Sequence, residues 1–233
     1  MTEKDVWLAE YYTPFDQGCR EQFYLAATSF LFSNFDETLS NGYYFEFGCH
    51  KARTMRFAWK HTRHNFALTY VAFDSFEGLP DIEPIDALAD WQRGSFAISE
   101  EDFVATVTAA GMPRERLRTV KGFYDASLTP RLAESLLPRK ATIVYIDCDL
   151  YKSTVPVLSF IVPFLRVGTI VAFDDWNCYF ADPDRGQRRA WREFLAANPR
   201  LHFEPFYSTH MMASFVCTKT ADAAESIGSS LEP

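Results

Sequence analysis

The chain has 233 residues, a formal net charge of −8 and a pI near 5.2. That length suits one α/β domain and is short for two. The acidic balance argues against a general binder of nucleic acid or of an anionic membrane.

Hydrophobic residues make up 48% of the chain, enough for a sizeable core. No run of about 18 apolar residues is present to span a bilayer. The opening MTEKDVWLAEYY lacks the basic-then-apolar order of a signal peptide. The five cysteines are scattered and never form a CxxC pair, so free thiols in a reducing cytoplasm are expected.

Residues 1–19 are aromatic and read as an irregular arm, packed on the domain or on a second subunit. The second placement would make a homo-oligomer. Glu21 to Leu39 puts Phe23, Ala27, Phe30, Leu31 and Phe35 on one helical face. These two stretches form an N-terminal segment, 1–40. Asn41-Gly42 is a turn, and Tyr43 to Gly48 is the first strand. Ala52, Met55 and Trp59 mark a helix. Leu68 to Phe73 is the second strand and ends in Asp74.

Asp81 to Phe96 is acidic and aperiodic, and a loop or lid is expected over 81–98. Ser99 caps a helix carrying Phe103, Val104 and Val107, stopped by Gly111-Met-Pro113. Leu117 to Lys121 is the third strand, and Thr129 to Leu137 is a helix. Ala141 to Ile146 is the fourth strand. Ser153 or Thr154 is expected to cap the next helix, with Pro156 in its first turn. Val167 to Phe173 is the fifth strand. Ala190, Trp191, Phe194 and Leu195 define a last helix. His202 to Tyr207 and Met212 to Thr218 read as a closing hairpin. Residues 41–218 thus form one α/β domain: a mostly parallel seven-stranded sheet, helices on both faces, and an antiparallel C-terminal hairpin. Residues 219–233 are small and polar, and a frayed tail is expected.

The chemistry concentrates where strands end, because ligands of open parallel sheets bind outside the carboxyl ends of the strands. The fourth strand runs into Asp147 and Asp149, and the fifth into Asp174 and Asp175. Four carboxylates at neighbouring strand ends would repel and take up protons unless a hard cation such as Mg2+ kept them ionised. Gly48 lets a ligand approach the backbone, and the helix that follows favours an anion. Asp74 is suited to accept from two ribose hydroxyls, a feature that an NAD-binding domain would share.

FEFG at 45–48, FDSFEGLP at 73–80, VKGFYDASL at 120–128, IDCDLYKST at 146–154, FDDW at 173–176 and GQRRAWREF at 186–194 follow one another in order. In these motifs the chain resembles the macrocin O-methyltransferase family. These are S-adenosylmethionine-dependent enzymes with a Rossmann-like fold, many of which methylate sugar hydroxyls of natural products. The resemblance implies S-adenosyl-L-methionine and Mg2+ as cofactors and a small hydroxylated molecule as substrate. It implies that Glu46 and Gly48 line the methionine end of the cofactor, with His50 in the same turn and Thr54 near the carboxylate. Asp74 would hold the ribose, and Ser75 and Phe76 would flank the adenosine. Gly122 and Phe123 would pack near adenine, with Asp125 or Ser127 at its polar edge. Asp147, Asp174 and Asp175 would bind Mg2+. Asp147 and Asp149 are the catalytic candidates.

The chain departs from the family at CHKART, where a glycine-rich turn is expected, and at Cys148, where glycine is common. Leu150 stands where some metal-dependent methyltransferases carry a basic residue. The lid matches nothing specific, so substrate identity does not transfer. Lys152 is expected to point to solvent, Arg185, Arg188 and Arg189 to form a solvated helix face, and His50 and His210 to be structural rather than catalytic. Three other readings stay open: a methyltransferase of an aromatic vicinal diol, a cofactor-binding module without activity, and an NAD-linked oxidoreductase. The last lacks a YxxxK pair, since Tyr151 and Lys152 are adjacent.

Overall fold

Seven segments rich in β-branched and aromatic residues pair into one sheet, in a computed structural model that describes residues 2–88 and 91–220. The strands are β1 (Tyr43–Phe47), β2 (Thr69–Asp74), β3 (Leu117–Lys121), β4 (Ala141–Ile146), β5 (Ile170–Phe173), β6 (His202–Ser208) and β7 (Ala213–Lys219). Their spatial order is β3-β2-β1-β4-β5-β7-β6. The first five are parallel; β7 runs antiparallel to β5, and β6 pairs antiparallel with β7. The expected architecture is therefore present. β5 starts later than expected, because Gly168 turns the chain at φ +93 before Ile170 joins the sheet.

All five residues of β1 are buried, and the pleat sends them to two different cores. Tyr44 joins Phe23, Tyr24, Tyr70 and Tyr145 on one face, and Tyr43, Phe45 and Phe47 join Phe73, Phe160 and Phe164 on the other. Helices cover both faces. On the first lie α2 (Thr13–Ser33), α4 (Arg53–Thr62) and α5 (Glu100–Ala109); α1 (Glu3–Trp7) and α3 (Glu37–Ser40) flank α2. On the second lie α7 (Pro130–Leu136), α8 (Tyr151–Ile161) and α9 (Gly186–Ala197); α6 (Tyr124–Ser127) is a single turn not foreseen in the sequence. Among the described residues no helix is long and apolar enough to cross a membrane.

The N-terminal arm is helical rather than irregular. Thr2 opens α1 with a reciprocal capping box to Asp5. Leu8–Tyr12 then widens into a π-helical turn, in which the Thr13 N–H reaches back to the Leu8 carbonyl. A wide turn leaves room for Pro14, which has no N–H and would crowd a tighter one. The helix of Glu21 to Leu39 ends sooner than expected, at Ser33, and α3 starts afresh with Asp36 capping the Leu39 N–H at 2.9 Å.

The cap of α8 also differs from expectation. The helix begins at Tyr151, ahead of Ser153 and Thr154, and Pro156 lies inside it. Its first two N–H groups, on Tyr151 and Lys152, donate to the Asp86 carboxylate at 2.6 and 3.2 Å. Asp86 is fully buried and belongs to the 81–98 segment, where Pro84–Asp86 forms a 3₁₀ turn. The ends of that segment are tied together, Leu79 N–H to Ser95 O and Gly94 N–H to Leu79 O, both at 2.9 Å. Ala89 and Asp90 of the lid, and 221–233 of the expected tail, lie outside the described residues. Asp86→Ala should lower stability by about 1–2 kcal/mol in urea unfolding, the usual loss for a helix cap. It should also speed proteolysis within 81–98; an unchanged cleavage rate would show that the lid is held by other contacts.

Candidate active site

The strand order reverses between β1 and β4, and a cavity of about 580 Å³ opens above that point. Its floor comes from the residues that follow each parallel strand. The ladder continues past the strands themselves: Gly48 N–H donates to Phe73 O, Asp147 N–H to Phe47 O and Asp174 N–H to Ile146 O, at 2.8–3.0 Å. These bonds fix the strand ends as one rigid rim. Gly48, at φ +86, passes so close to β4 that a Cβ would stand 1.8 Å from the Asp147 carbonyl oxygen.

On the β1 and β2 side, Asp74 receives Cys49 N–H at 2.6 Å and Phe76 N–H at 2.7 Å. Burial raises its pKa, and these two backbone donors work in the opposite direction. Each carboxylate oxygen keeps a lone pair for another donor. Ser75 closes the following turn, donating to Gly78 O at 2.8 Å and accepting from Glu77 N–H at 3.1 Å. The turn after β1 holds positive φ at His50 and Ala52, +33 and +56, which glycines would adopt more easily. His50 also packs on Phe96 of the lid, its Nδ1 2.9 Å from the Phe96 carbonyl oxygen. Gly122, Phe123 and Asp125 line the third side.

Two expected cofactor residues lie outside the cavity wall. Glu46 is completely buried beneath it, accepting from Thr54 Oγ1 at 2.8 Å and from the Tyr44 hydroxyl. Burial pushes its pKa up to about 8. Thr54 does line the cavity, so Glu46 reaches it through Thr54. Phe76, at φ +55, turns its ring inward onto Phe103.

The carboxylates converge on the other side. Oxygens of Asp147, Asp149 and Asp175 lie within 4.8 Å of one another, open to the cavity and enclosed by protein elsewhere. Burial, then mutual repulsion, raises the pKa of all three. Asp175 Oδ2 is buried without any hydrogen-bond donor. An orphaned anionic oxygen beside two further carboxylates suits a hard divalent cation, so these residues fit Mg2+. The expected set was Asp147, Asp174 and Asp175. Asp149 takes the place of Asp174 in the converging group, its backbone at φ +59. Asp174 is engaged elsewhere: Arg20 donates to it twice, Nε to Oδ1 at 2.8 Å and Nη2 to Oδ2 at 2.5 Å, and the Tyr145 hydroxyl donates to Oδ1.

Several participants escaped the sequence reading. Arg20 comes from α2, far from any strand end. Gln187 on α9 braces β4 and β5, donating to Ile146 O at 3.2 Å and accepting from Asp175 N–H at 3.0 Å. Of the three arginines expected to form a solvated face, Arg185 and Arg188 are engaged with neighbouring loops. Arg185 stacks on Tyr179 at 4.1 Å and donates to Ile85 O and Ala87 O, holding the lid. Arg188 donates to Trp176 O at 2.9 Å and fixes the loop after Asp175. Arg189 pairs with Glu193 on its own helix. Lys152 is exposed, as expected, and pairs with Glu83 at the cavity edge. His210 packs against Tyr12 and Phe15.

Residues 52–204 match the macrocin-O-methyltransferase (TylF) family model. Among solved structures, the fold is similar to the O-methyltransferase NovP, with TM-score 0.67 and 20% identity over 86% of this chain and 80% of that one. It is also similar to the calicheamicin methyltransferase CalS11, with TM-score 0.65 and 22% identity over 92% of this chain and 82% of that one. An O-methyltransferase from Bacillus cereus, solved with SAH, gives TM-score 0.51 and 13% identity over 92% of this chain and 97% of that one. No curated protein matches the chain.

Proposed function

This chain belongs to the macrocin-O-methyltransferase family and is an O-methyltransferase; from that premise we propose that it methylates a hydroxyl of a small polyhydroxylated acceptor, a natural-product sugar, using S-adenosylmethionine and Mg2+. The observation that carries this reading is the single cavity that joins two unlike ends. One end offers Asp74 and the glycine rim, suited to a nucleoside. The other offers three converging carboxylates, suited to a cation and a hydroxylated acceptor.

When bound, the cation lowers the pKa of an acceptor hydroxyl, and the cofactor supplies an activated methyl group. The protein's own work is to bind, orient and take a proton. Asp74 accepts from ribose hydroxyls through the lone pairs that Cys49 and Phe76 leave free. Gly48 keeps the floor between the two ends low, so donor and acceptor can approach in line. Asp147, Asp149 and Asp175 would hold the cation, and the Asp149 carboxylate would receive the proton of the acceptor hydroxyl. No covalent intermediate with the protein is needed. Positive φ at His50 and Ala52 preserves the turn's shape without glycines, and the cavity beneath stays open. That favours an active enzyme over an inert binding module.

Calorimetry with S-adenosylhomocysteine tests the cofactor end. Asp74→Ala should weaken binding by about ten- to a hundredfold, the loss of charge-assisted hydrogen bonds worth roughly 1.5–3 kcal/mol. Equal affinity for both proteins would remove Asp74 from the ribose, and tighter binding of NAD would remove the methyltransferase cofactor altogether.

A further inference from the structure

The chain from Glu3 to Ser33 is one unbroken helical rod, because the π-helical turn at Leu8–Tyr12 passes directly into α2. The rod carries Trp7, Tyr11, Phe15, Leu25 and Phe32, each 45–64% exposed. Trp7, Tyr11 and Phe15 recur every four residues across the wide turn, which takes more residues per turn than an α-helix. From Phe15 the exposed positions are Gly18, Gln22, Leu25, Ser29 and Phe32, alternating by three and four. That spacing keeps them on one face and is the seam of a helix that packs along a second helix. The face runs for about 37 Å from Trp7 to Phe32, at about 1.5 Å per residue.

Two features of this face point to its occupant. The first is charge. Every exposed residue from Tyr11 to Ser33 is uncharged, in a chain where 23% of residues are charged. The three charged residues of that stretch are all drawn to partners within the chain: Asp16 pairs with Arg20, Arg20 with Asp174, and Glu21 with Lys60 and His61. An anionic membrane or a nucleic acid would need basic residues here. A strongly charged protein partner would find nothing to pair with. A second copy of this chain, at net charge −8, is repelled elsewhere but not across this face.

The second feature is Gly18, in the middle of the face. A Cβ there would meet nothing within 4 Å, and the backbone has no positive φ. Neither packing nor conformation within the chain calls for glycine, which is a poorer helix former than alanine. Its use is to let another helix backbone come close. An antiparallel two-fold crossing centred on Gly18 sets Tyr11 against the partner's Leu25 and Trp7 against the partner's Ser29. The four rings and the leucine leave roughly 500 Å² of apolar surface open, since a whole aromatic side chain offers about 150–250 Å². A patch of that size marks an interaction site, and it supplies most of the roughly 800 Å² per partner of a standard interface. We propose that the protein is a two-fold dimer, joined where the outer faces of its N-terminal helices cross at Gly18.

Sedimentation equilibrium of the full-length protein tests this directly. Wild type should show about twice the 26.8 kDa monomer mass. Gly18→Leu fills the crossing point, and Leu25→Glu places a charge in the seam on each copy. Each should raise the dimer dissociation constant by at least about thirtyfold, while circular dichroism and S-adenosylhomocysteine affinity stay at the wild-type level. Leucine is a better helix former than glycine, so Gly18→Leu gives the chain no local reason to unfold. Should one of the two variants not fold, the other decides. Val155→Glu is the control: Val155 is also an exposed apolar residue, but on α8, which covers the opposite face of the sheet, and this variant should stay dimeric. Wild type at monomer mass overturns the proposal. If that monomer co-sediments with neutral phosphatidylcholine vesicles, the face belongs to a lipid surface instead. A dimer that survives both Gly18→Leu and Leu25→Glu overturns it as well, because the contact then lies elsewhere. So does a dimer that Val155→Glu breaks as readily as the other two.

Discussion

Asp147→Asn is expected to lose methyl transfer by roughly a thousandfold or more, equivalent to about 4 kcal/mol of transition-state stabilisation. Asparagine has the shape of aspartate, and the backbone bond from residue 147 to Phe47 O, 2.8 Å, does not involve the side chain. The fold should therefore survive. Three carboxylates share the site, so removing one negative charge also relieves repulsion. Affinity for S-adenosylhomocysteine should stay within about threefold of wild type, because the loss lies in what is stronger in the transition state. A chelator should reproduce the variant in wild type, and added Mg2+ should rescue the chelated enzyme but not Asp147→Asn. Full methyl transfer by wild type in excess chelator, with no metal detected by elemental analysis, would assign the aspartates to proton transfer alone.

Much of this site was legible in the sequence because parallel strands announce their own ends. YYFEF and ATIVYI are too apolar to face water, and the residue after such a run must open onto the crevice. That reasoning placed Asp74, Asp147 and Asp175 without any structure. It could not tell which way a side chain leaves the rim. Glu46 ends up beneath the floor because the pleat sends it with Tyr44 toward Tyr24, not toward the cavity. Phe76 leaves because a left-handed backbone turns its ring onto Phe103.

Contacts between distant segments left no local signal. Arg20 and Asp174 are 154 residues apart, and nothing near Arg20 marks it as part of a site. Asp86 caps a helix 65 residues away, so the local candidates Ser153 and Thr154 were preferred. The N-terminal helix was hidden for a different reason. Pro14 and Gly18 are poor helix formers, but a π-helical turn takes up the proline and Gly18 meets nothing that a side chain would disturb. Arg185 and Arg188 show the same limit: spacing on α9 says which arginines share a face, not that loops lie over it.

Gly48→Ala should damage the site more than any other single methyl group added to its rim. The added Cβ would lie 1.8 Å from the Asp147 carbonyl oxygen and 2.6 Å from its carbonyl carbon, and both atoms belong to backbone fixed by the β1–β4 ladder. Relief requires the ends of β1 and β4 to separate, since no flexible side chain can give way. The φ of +86 adds about 1–2 kcal/mol for any residue with a Cβ. The sum should exceed about 4 kcal/mol, the range reserved for a distorted core. Gly94→Ala separates the two contributions. Gly94 has a similar φ of +78, but its nearest neighbour, Glu77 O, is 3.9 Å from the added Cβ. That variant should lose only the conformational part, about 1–2 kcal/mol, and should keep cofactor and Mn2+ binding. In urea unfolding, Gly48→Ala should therefore fall well below Gly94→Ala. Any Gly48→Ala protein that still folds should bind Mn2+ poorly, because Asp147 moves with its carbonyl. Equal stability losses in the two variants would mean that backbone conformation, not the close approach of the two strand ends, is what requires glycine at position 48.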